Sequence, residues 1–142
     1  MNDNSIESLI NLKDIEFKVE NSADVKIPVD ENKFSAVIIN LVKNAVEAFE
    51  QDKLSENVLK ASKYIKLSTA LEDEFAVIKI SNNAAKINEP KKIFGEGYST
   101  KEKGSGIGLS VCKKSIEEMY GKIALTHSGD DYTEFVIKIA KV

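Results

Sequence analysis

Three glycines occupy alternate positions in the stretch STKEKGSGIGLSV, at Gly104, Gly106 and Gly108, just before an amphipathic segment. Glycine is less favourable than alanine in a helix by about 1 kcal/mol, so the cluster indicates a loop with unusual backbone angles or a close approach to the backbone. A glycine-rich loop that opens a helix offers free N–H groups and the positive end of the helix dipole, which suits a di- or triphosphate. A flexible hinge would explain the same pattern, because the spacing matches neither the GxGxxG of dinucleotide folds nor the P-loop.

Two asparagines, Asn40 and Asn44, lie four residues apart in the most regular helical pattern of the chain. They therefore project from one side of the helix, at the edge of its apolar stripe. Asparagine is unfavourable inside helices because its amide competes for backbone hydrogen bonds. An amide oxygen can bind a hard cation such as Mg²⁺, which takes its other ligands from water and phosphate. Polar residues on a helix flank remain the simpler interpretation of this pair taken alone.

Other chemistries lack the residues they need. The only histidine, His127, falls in a predicted hairpin, so neither a zinc cluster nor a local nucleophile–histidine pair is indicated. The only cysteine, Cys112, shares a helical stripe with Leu109, Ile116 and Met119, which favours a packed thiol over a redox sensor.

The composition predicts one globular domain over residues 1–142, with 42% hydrophobic residues and a net charge of −3. Charges of both signs are interspersed, which argues against a nucleic-acid footprint. No apolar run approaches the roughly 20 residues of a membrane span, and a lone cysteine suits a reducing compartment. We therefore expect a cytoplasmic domain without membrane contact, or the cytoplasmic part of a membrane-bound sensor.

The elements that would position these residues form an α/β two-layer sandwich, a mixed and mostly antiparallel sheet covered on one face by about three helices. Residues 5–12 show a helical pattern too short to stand alone, and 1–14 are interpreted as the tail of an upstream helical region. Residues 51–62 are predicted to be a partly helical connection, and 82–105 a long loop of a kind that is usually functional or disordered. A helix is predicted from the N-cap Asp30 to residue 49, and a second from the glycines to about residue 120, ended by Gly121. The predicted strands are 15–19, 64–71, 75–81, 122–127 and 132–140, of which the last four make two hairpins.

Four motifs in order give the chain a family resemblance. NLVKNAVEA (40–48) looks like an N box, IFGEGYSTK (93–101) an F box, GSGIGL (104–109) a second glycine box, and YTEFVIKI (132–139) the closing strand. From about residue 30 to 139 the chain resembles the ATP-binding catalytic domain of sensor histidine kinases, within the superfamily of gyrase, Hsp90-type chaperones and mismatch-repair ATPases. The resemblance implies a Bergerat-type ATPase fold with residues 82–105 as the ATP lid.

The resemblance also implies roles for individual residues. Asn44 would coordinate the Mg²⁺ that bridges the ATP phosphates, Asn40 would support the phosphate region, and Lys101 would reach the terminal phosphates, so that these three form the catalytic group. Such a set suits phosphoryl transfer, which needs mainly positioning and charge neutralisation. The implied ATP-binding residues are Asn40, Lys43, Asn44, Asn82, Ile87, Tyr98, Lys101, Gly104, Gly106, Ile107, Gly108, Leu109 and Thr133.

Two positions depart from the wider pattern. Hydrolytic members of the superfamily tend to carry a glutamate where this chain has Asn40, so phosphate transfer to a protein is expected rather than fast ATP hydrolysis. The first glycine box, usually close to DNGPGI, reads NNAAKI (82–87) here. Asn82 thus replaces the aspartate that accepts a hydrogen bond from the adenine amino group, and its amide oxygen would have to serve instead.

The expected function is transfer of the ATP γ-phosphate to a histidine on a separate dimerisation domain, followed by transfer to a response regulator. His127 lies in the wrong region to be the acceptor, and the isolated domain is expected to be a monomer. Two alternatives stay open: a degenerate module that only docks, and a stand-alone serine kinase of the anti-sigma-factor type. Phe94 and Tyr98 would either anchor the lid or contact a partner domain.

Overall fold

The computed structural model describes residues 15–21, 30–49, 63–84, 93–94, 108–129 and 131–140. These residues form five strands and two helices. In chain order they are β1 (Glu16–Asn21), α1 (Glu31–Phe49), β2 (Tyr64–Glu72), β3 (Phe75–Asn82), α2 (Gly108–Glu118), β4 (Gly121–Ser128) and β5 (Thr133–Ala140).

All five strands join in one mixed sheet with the order β1-β2-β3-β5-β4. Only β1 and β2 run parallel, with α1 in the connection between them, and the other three pairings are antiparallel. The hairpins β2–β3 and β4–β5 are those that the sequence predicts. A register shift between Leu125 and His127 places a bulge in β4. The predicted α/β sandwich with a mixed, mostly antiparallel sheet is confirmed.

The first helix starts at a side-chain cap. The Asp30 carboxylate accepts hydrogen bonds from the backbone N–H groups of Asn32 (2.9 Å) and Lys33 (3.2 Å), as the sequence predicts for an N-cap. Behind this cap the helical period aligns seven apolar side chains on the buried face of α1. They are Val37, Ile38, Leu41, Val42, Ala45, Val46 and Phe49.

The core lies between this helix face and one face of the sheet. Alternate residues of neighbouring strands point to the same face, so the register partners Leu67, Ile80 and Phe135 all join one hydrophobic cluster. The second helix completes the layer through Cys112 and Ile116, both fully buried. Both helices therefore pack on the same face of the sheet.

The turn from α2 to β4 differs in detail from the sequence prediction. The residue with a left-handed backbone is Tyr120, at φ 60°, and the predicted helix terminator Gly121 is already the first residue of β4. A Cβ on Gly121 would lie 2.8 Å from Cγ1 of Ile139 and 2.8 Å from the carbonyl oxygen of Lys138. Glycine is needed here because β5 passes so close, not because of its own backbone angles.

Several predicted segments lie outside the described residues. These are the helical segment 5–12, the connection 51–62, and residues 85–92 and 95–105 of the long loop. The described part of the chain therefore shows two of the roughly three predicted helices. Neither of the two has the length and apolar character needed to span a bilayer.

Candidate functional site

The asparagine pair of α1 lies where the two helices meet. Asn40 and Asn44 stand one helical turn apart and are both half-buried, whereas Lys43 between them is exposed. One turn before Asn40, the backbone carbonyl of Val37 accepts a hydrogen bond from the thiol of Cys112, which lies one turn after the first residue of α2. The asparagine pair therefore lies on the helix that packs against α2, the helix that follows the glycine-rich segment.

Cys112 is a packed thiol, as predicted from its place on one helical stripe with Leu109, Ile116 and Met119. It is fully buried, and its Sγ donates to the backbone carbonyl of Val37 at 3.8 Å. Burial raises the pKa of the Cys112 thiol to about 11, against a smaller lowering by the hydrogen bond from Asn40. A thiol with that pKa is neutral at physiological pH, which makes it a poor nucleophile and argues against a redox sensor.

A second polar group lies at one end of the sheet, on the core face. Asn82 of β3 and Thr133 of β5 are register partners, with exposed fractions of 8% and 3%. The Asn82 Oδ1 accepts a hydrogen bond from the backbone N–H of Ala84 at 2.9 Å, and Thr133 Oγ1 shares a hydrogen bond of 2.9 Å with Ser128 Oγ. The oxygen expected to receive the adenine amino group thus already has one donor, and one lone pair remains for a second.

The structure describes only part of the predicted nucleotide site. Gly108 is the first residue of α2, and Leu109 is half-buried against the core. Asn40, Lys43, Asn44, Asn82 and Thr133 are placed as given above. The remaining predicted binding residues, Ile87, Tyr98, Lys101, Gly104, Gly106 and Ile107, lie outside the described residues.

The sequence leaves open whether Phe94 and Tyr98 anchor the long loop or contact a partner domain. In the structure Phe94 packs against the domain. Its ring meets Phe135 edge-on, with centroids 6.2 Å apart and planes at 84°, and the Lys113 ammonium lies 5.9 Å from its centroid. For Phe94 the anchoring interpretation is therefore favoured, while its companion Tyr98 lies outside the described part.

His127 has a local structural role in the β4–β5 hairpin. Its Nε2 lies 2.9 Å from Oδ1 of Asp131, and its ring stacks on Tyr132 with centroids 4.1 Å apart. The hydrogen bond from His127, followed by that from the backbone N–H of Tyr132, lowers the pKa of Asp131. Within the described residues no three histidine, cysteine or carboxylate side chains gather in a way that could hold a metal.

Three contacts at the site escape sequence analysis. They are the hydrogen bond from the Cys112 thiol to the Val37 carbonyl, the hydrogen bond from the Ala84 N–H to the Asn82 oxygen, and the hydrogen bond of 2.9 Å from the Tyr64 N–H to Asn83 Oδ1. Each joins residues whose proximity depends on helix packing, on a local turn or on strand register. The doublet Asn82-Asn83 was the only signal available, since asparagine favours turns at strand ends.

Comparison with known proteins covers nearly the whole chain. A family model described as histidine kinase-, DNA gyrase B-, and HSP90-like ATPase matches residues 29–142. Sporulation kinase C of Bacillus subtilis is 33% identical over 98 residues, which cover 68% of this chain and 21% of that protein. Sporulation kinase B of the same organism is 28% identical over 134 residues, covering 93% and 29%. The chain thus spans less than a third of the length of either relative.

Solved structures share the fold. The catalytic domain of histidine kinase ThkA, in a nucleotide-free form, superposes with a TM-score of 0.79 at 28% identity, covering 97% of this chain and 88% of that one. ThkA in complex with the response regulator protein TrrA gives a TM-score of 0.75 at 26% identity, covering 98% and 38%. By its sheet order, its amide-bearing helix and the match over residues 29–142, the chain belongs to the histidine kinase-, DNA gyrase B- and HSP90-like ATPase family.

Proposed function

We propose that this chain is the ATP-binding catalytic domain of a sensor histidine kinase and transfers the γ-phosphate of ATP to a histidine on a separate dimerisation domain. The observation that carries the proposal is the junction of α1 and α2, where Cys112, on the helix that follows the glycine-rich segment, donates to the carbonyl of Val37, one turn before Asn40. Family membership and relatives named as sporulation kinases support the same reaction.

The phosphates of ATP would lie between the asparagine side of α1 and the start of α2. The first turn of α2 offers N–H groups and the positive end of its dipole, and Lys101 and the glycines of the lid, residues 82–105, would close over the phosphates. The adenine would lie near Asn82 and Thr133, with Leu109 beside it. Ile87, Tyr98 and Ile107 would complete the pocket, and Lys43 is proposed at its rim.

The amides of α1 fit a magnesium ion. Mg²⁺ prefers oxygen ligands, keeps several waters and commonly binds through phosphates, so one or two half-buried amide oxygens are a suitable protein contribution. Asn44 would hold the ion, which would neutralise charge on the phosphates during transfer. Since Asn40 takes the place of a catalytic glutamate, the domain has no carboxylate at that position to activate water.

A response regulator is the proposed final acceptor. The related ThkA has been solved in complex with one, and we extend that partnership to this chain. The acceptor domain, the regulator and this domain would act together in the cytoplasm, with the isolated domain a monomer.

Calorimetric titration of ATP, with Mg²⁺ and with EDTA, tests nucleotide binding. We expect saturable binding that prefers ATP to GTP and that loses its Mg²⁺ dependence in Asn44→Ala. The matched control is Asn32→Ala, an exposed asparagine in the first turn of the same helix, which should titrate like the wild type. Absence of heat and of a thermal shift at millimolar ATP would overturn the proposal.

Phosphotransfer from γ-labelled ATP then tests the reaction class. With a purified dimerisation domain as acceptor, we expect an acid-labile, alkali-stable label, the signature of phosphohistidine. An acid-stable label on a serine of a small partner protein would instead establish the anti-sigma-factor type of kinase, and binding without transfer to either would favour the docking module.

A further inference from the structure

Three polar side chains form a row across one end of the sheet. Thr133 of β5 is the register partner of Ser128 in β4 and of Asn82 in β3, so the three lie side by side on neighbouring strands. Directly paired residues share a face, and the row lies on the core face because Ile80 and Phe135, two residues further along their strands, belong to the hydrophobic cluster. Thr133 is 3% exposed, whereas Ser128 is half-buried. The row therefore borders the core at the end of the sheet where the adenine is proposed to lie.

The bulge in β4 brings Ser128 into this row. Leu125 packs against the core, so strict alternation along the strand would place His127 on the core face and Ser128 on the opposite face. The register instead pairs Leu125 and His127 with consecutive residues of β5, so that Thr126 is one extra residue in β4. An extra residue reverses the alternation that follows it, and Ser128 therefore faces the core beside Thr133.

The hydroxyl groups of Ser128 and Thr133 bond directly to each other. Ser128 Oγ lies 2.9 Å from Thr133 Oγ1, and either oxygen can be the donor. A threonine carries its hydroxyl and its methyl group on the same carbon, so rotation from one χ1 rotamer to another exchanges their places. Because Thr133 is nearly fully buried, a rotamer in which its hydroxyl loses the partner is unfavourable. Ser128 therefore selects the rotamer that places the hydroxyl, and not the methyl group, in the polar row.

The bonded pair keeps hydrogen-bonding capacity for a ligand. A hydroxyl has one proton and two lone pairs, so the bond between the two residues leaves one proton of the pair unused. When Ser128 donates, the Thr133 proton is left for an acceptor. When Thr133 donates, its lone pairs are left for a donor. Adenine carries an amino donor and ring-nitrogen acceptors, so a hydroxyl of either polarity suits it.

We propose that Ser128, which the bulge of β4 brings to the core face, is a positioning residue that fixes the Thr133 hydroxyl for recognition of the adenine base. The proposal rests on the proposed nucleotide-binding function and deepens it, because it extends the base-recognition group from β3 and β5 to β4. A serine that only satisfied a buried hydroxyl would affect the stability of the fold. It would not distinguish ligands that carry a base from ligands that lack one.

The first test monitors the Thr133 side chain without nucleotide. Three-bond NMR couplings from its Cγ2 methyl group to the backbone nitrogen and carbonyl carbon report χ1, and the signal is assigned by its loss in Thr133→Val. We expect the couplings of a single rotamer in the wild type, averaged couplings in Ser128→Ala, and single-rotamer couplings again in Ser128→Thr, which keeps the hydroxyl. The matched control is Ser81→Ala, a half-buried serine at the same end of the sheet on its opposite face, which should leave the couplings unchanged. Wild-type couplings in Ser128→Ala overturn the proposal.

The second test compares ligands with and without a base, both in the presence of Mg²⁺. We expect Ser128→Ala to weaken ATP binding by about fivefold, the size of one hydrogen bond, while binding of inorganic tripolyphosphate changes by less than about twofold. In a Thr133→Val background Ser128→Ala should have no further effect on ATP binding, because the serine acts only through the threonine hydroxyl. Equal losses for both ligands, or additive losses in the double variant, would overturn the positioning role.

ATP binding by the wild type separates this proposal from the proposed function. If the wild type binds ATP and Ser128→Ala binds it equally well, the positioning role fails and the proposed function stands. If the wild type binds no nucleotide at all, the proposed function fails, and the positioning role fails with it even where the coupling result holds.

Discussion

Gly121→Ala is expected to be the most destabilising single-methyl change among the described glycines. The added Cβ would lie 2.8 Å from Cγ1 of Ile139, 2.8 Å from the Lys138 carbonyl oxygen and 3.0 Å from Cγ2 of Ile116. Gly121 is also the register partner of Ile139, so the backbone of β5 cannot retreat without breaking the pairing of β4 with β5. The clash involves the sheet and α2 together.

The size of the effect follows from these contacts. Overpacking a close-packed interior costs about 1–3 kcal/mol, and the fixed carbonyl oxygen places this site at the upper end. For a chain of this length, a loss of about 2–3 kcal/mol lowers Tm by roughly 6–12 °C and the urea midpoint by about 1 M.

Urea denaturation followed by circular dichroism measures this difference, with the slope of the transition as a check that the same surface unfolds. Gly129→Ala is the matched control. Its Cβ would meet mainly the ends of side chains, Asp131 Oδ1 at 2.9 Å and His127 Nε2 at 3.2 Å, which can turn towards solvent. A Gly121→Ala midpoint within about 0.3 M of the wild type, or a larger loss in Gly129→Ala, would refute the packing argument.

Three further predictions concern single side chains. Asn82→Asp should tighten ATP binding about three- to tenfold in titrations, whereas Asn83→Asp should not. With a carboxylate at position 82, one oxygen can accept from the Ala84 N–H while the other accepts from the adenine amino group. Tyr120→Gly should raise the urea midpoint by an amount equivalent to about 0.5–1 kcal/mol, since a left-handed φ of 60° favours glycine and the ring is 89% exposed. Burial raises the pKa of Cys112 from 9.0 to about 11, so the folded protein holds the thiol proton more tightly than the unfolded chain. The resulting stabilisation is fully present below pH 9 and should disappear between pH 9 and pH 11. Urea titrations across this range, with Cys112→Val as the reference, measure the loss.

Local patterns predicted most of the described elements. The helical period and the Asp30 carboxylate define α1, and alternating residues around short turns define the two hairpins. Pairings between distant segments have no comparable signal, so neither the parallel contact of β1 with β2 nor the position of β5 beside β3 could be derived. The sequence predicts that Gly121 caps α2, because glycine after a helix usually marks its end, whereas α2 ends at Glu118 and the close approach of β5 accounts for the glycine.

In the candidate site, too, local patterns could be predicted and pairings between distant segments could not. The spacing of Asn40 and Asn44 was sufficient to place them on one side of a helix. The hydrogen bond from Cys112 to Val37, one turn before Asn40, depends on how α1 packs on α2, and the adjacency of Asn82 and Thr133 depends on the β3–β5 register. Residues of one element could thus be grouped from the sequence, whereas contacts between elements required the structure.

The bulge in β4 bears on how this domain meets other proteins. In the described sheet β1 and β4 are the outermost strands, and an outer strand with free backbone groups can recruit a strand from another chain. The register shift between Leu125 and His127 interrupts the regular spacing of β4, and Glu16, Lys18 and Glu20 alternate charges along β1. Both features make these two strands of the described sheet poor templates for strand addition and aggregation.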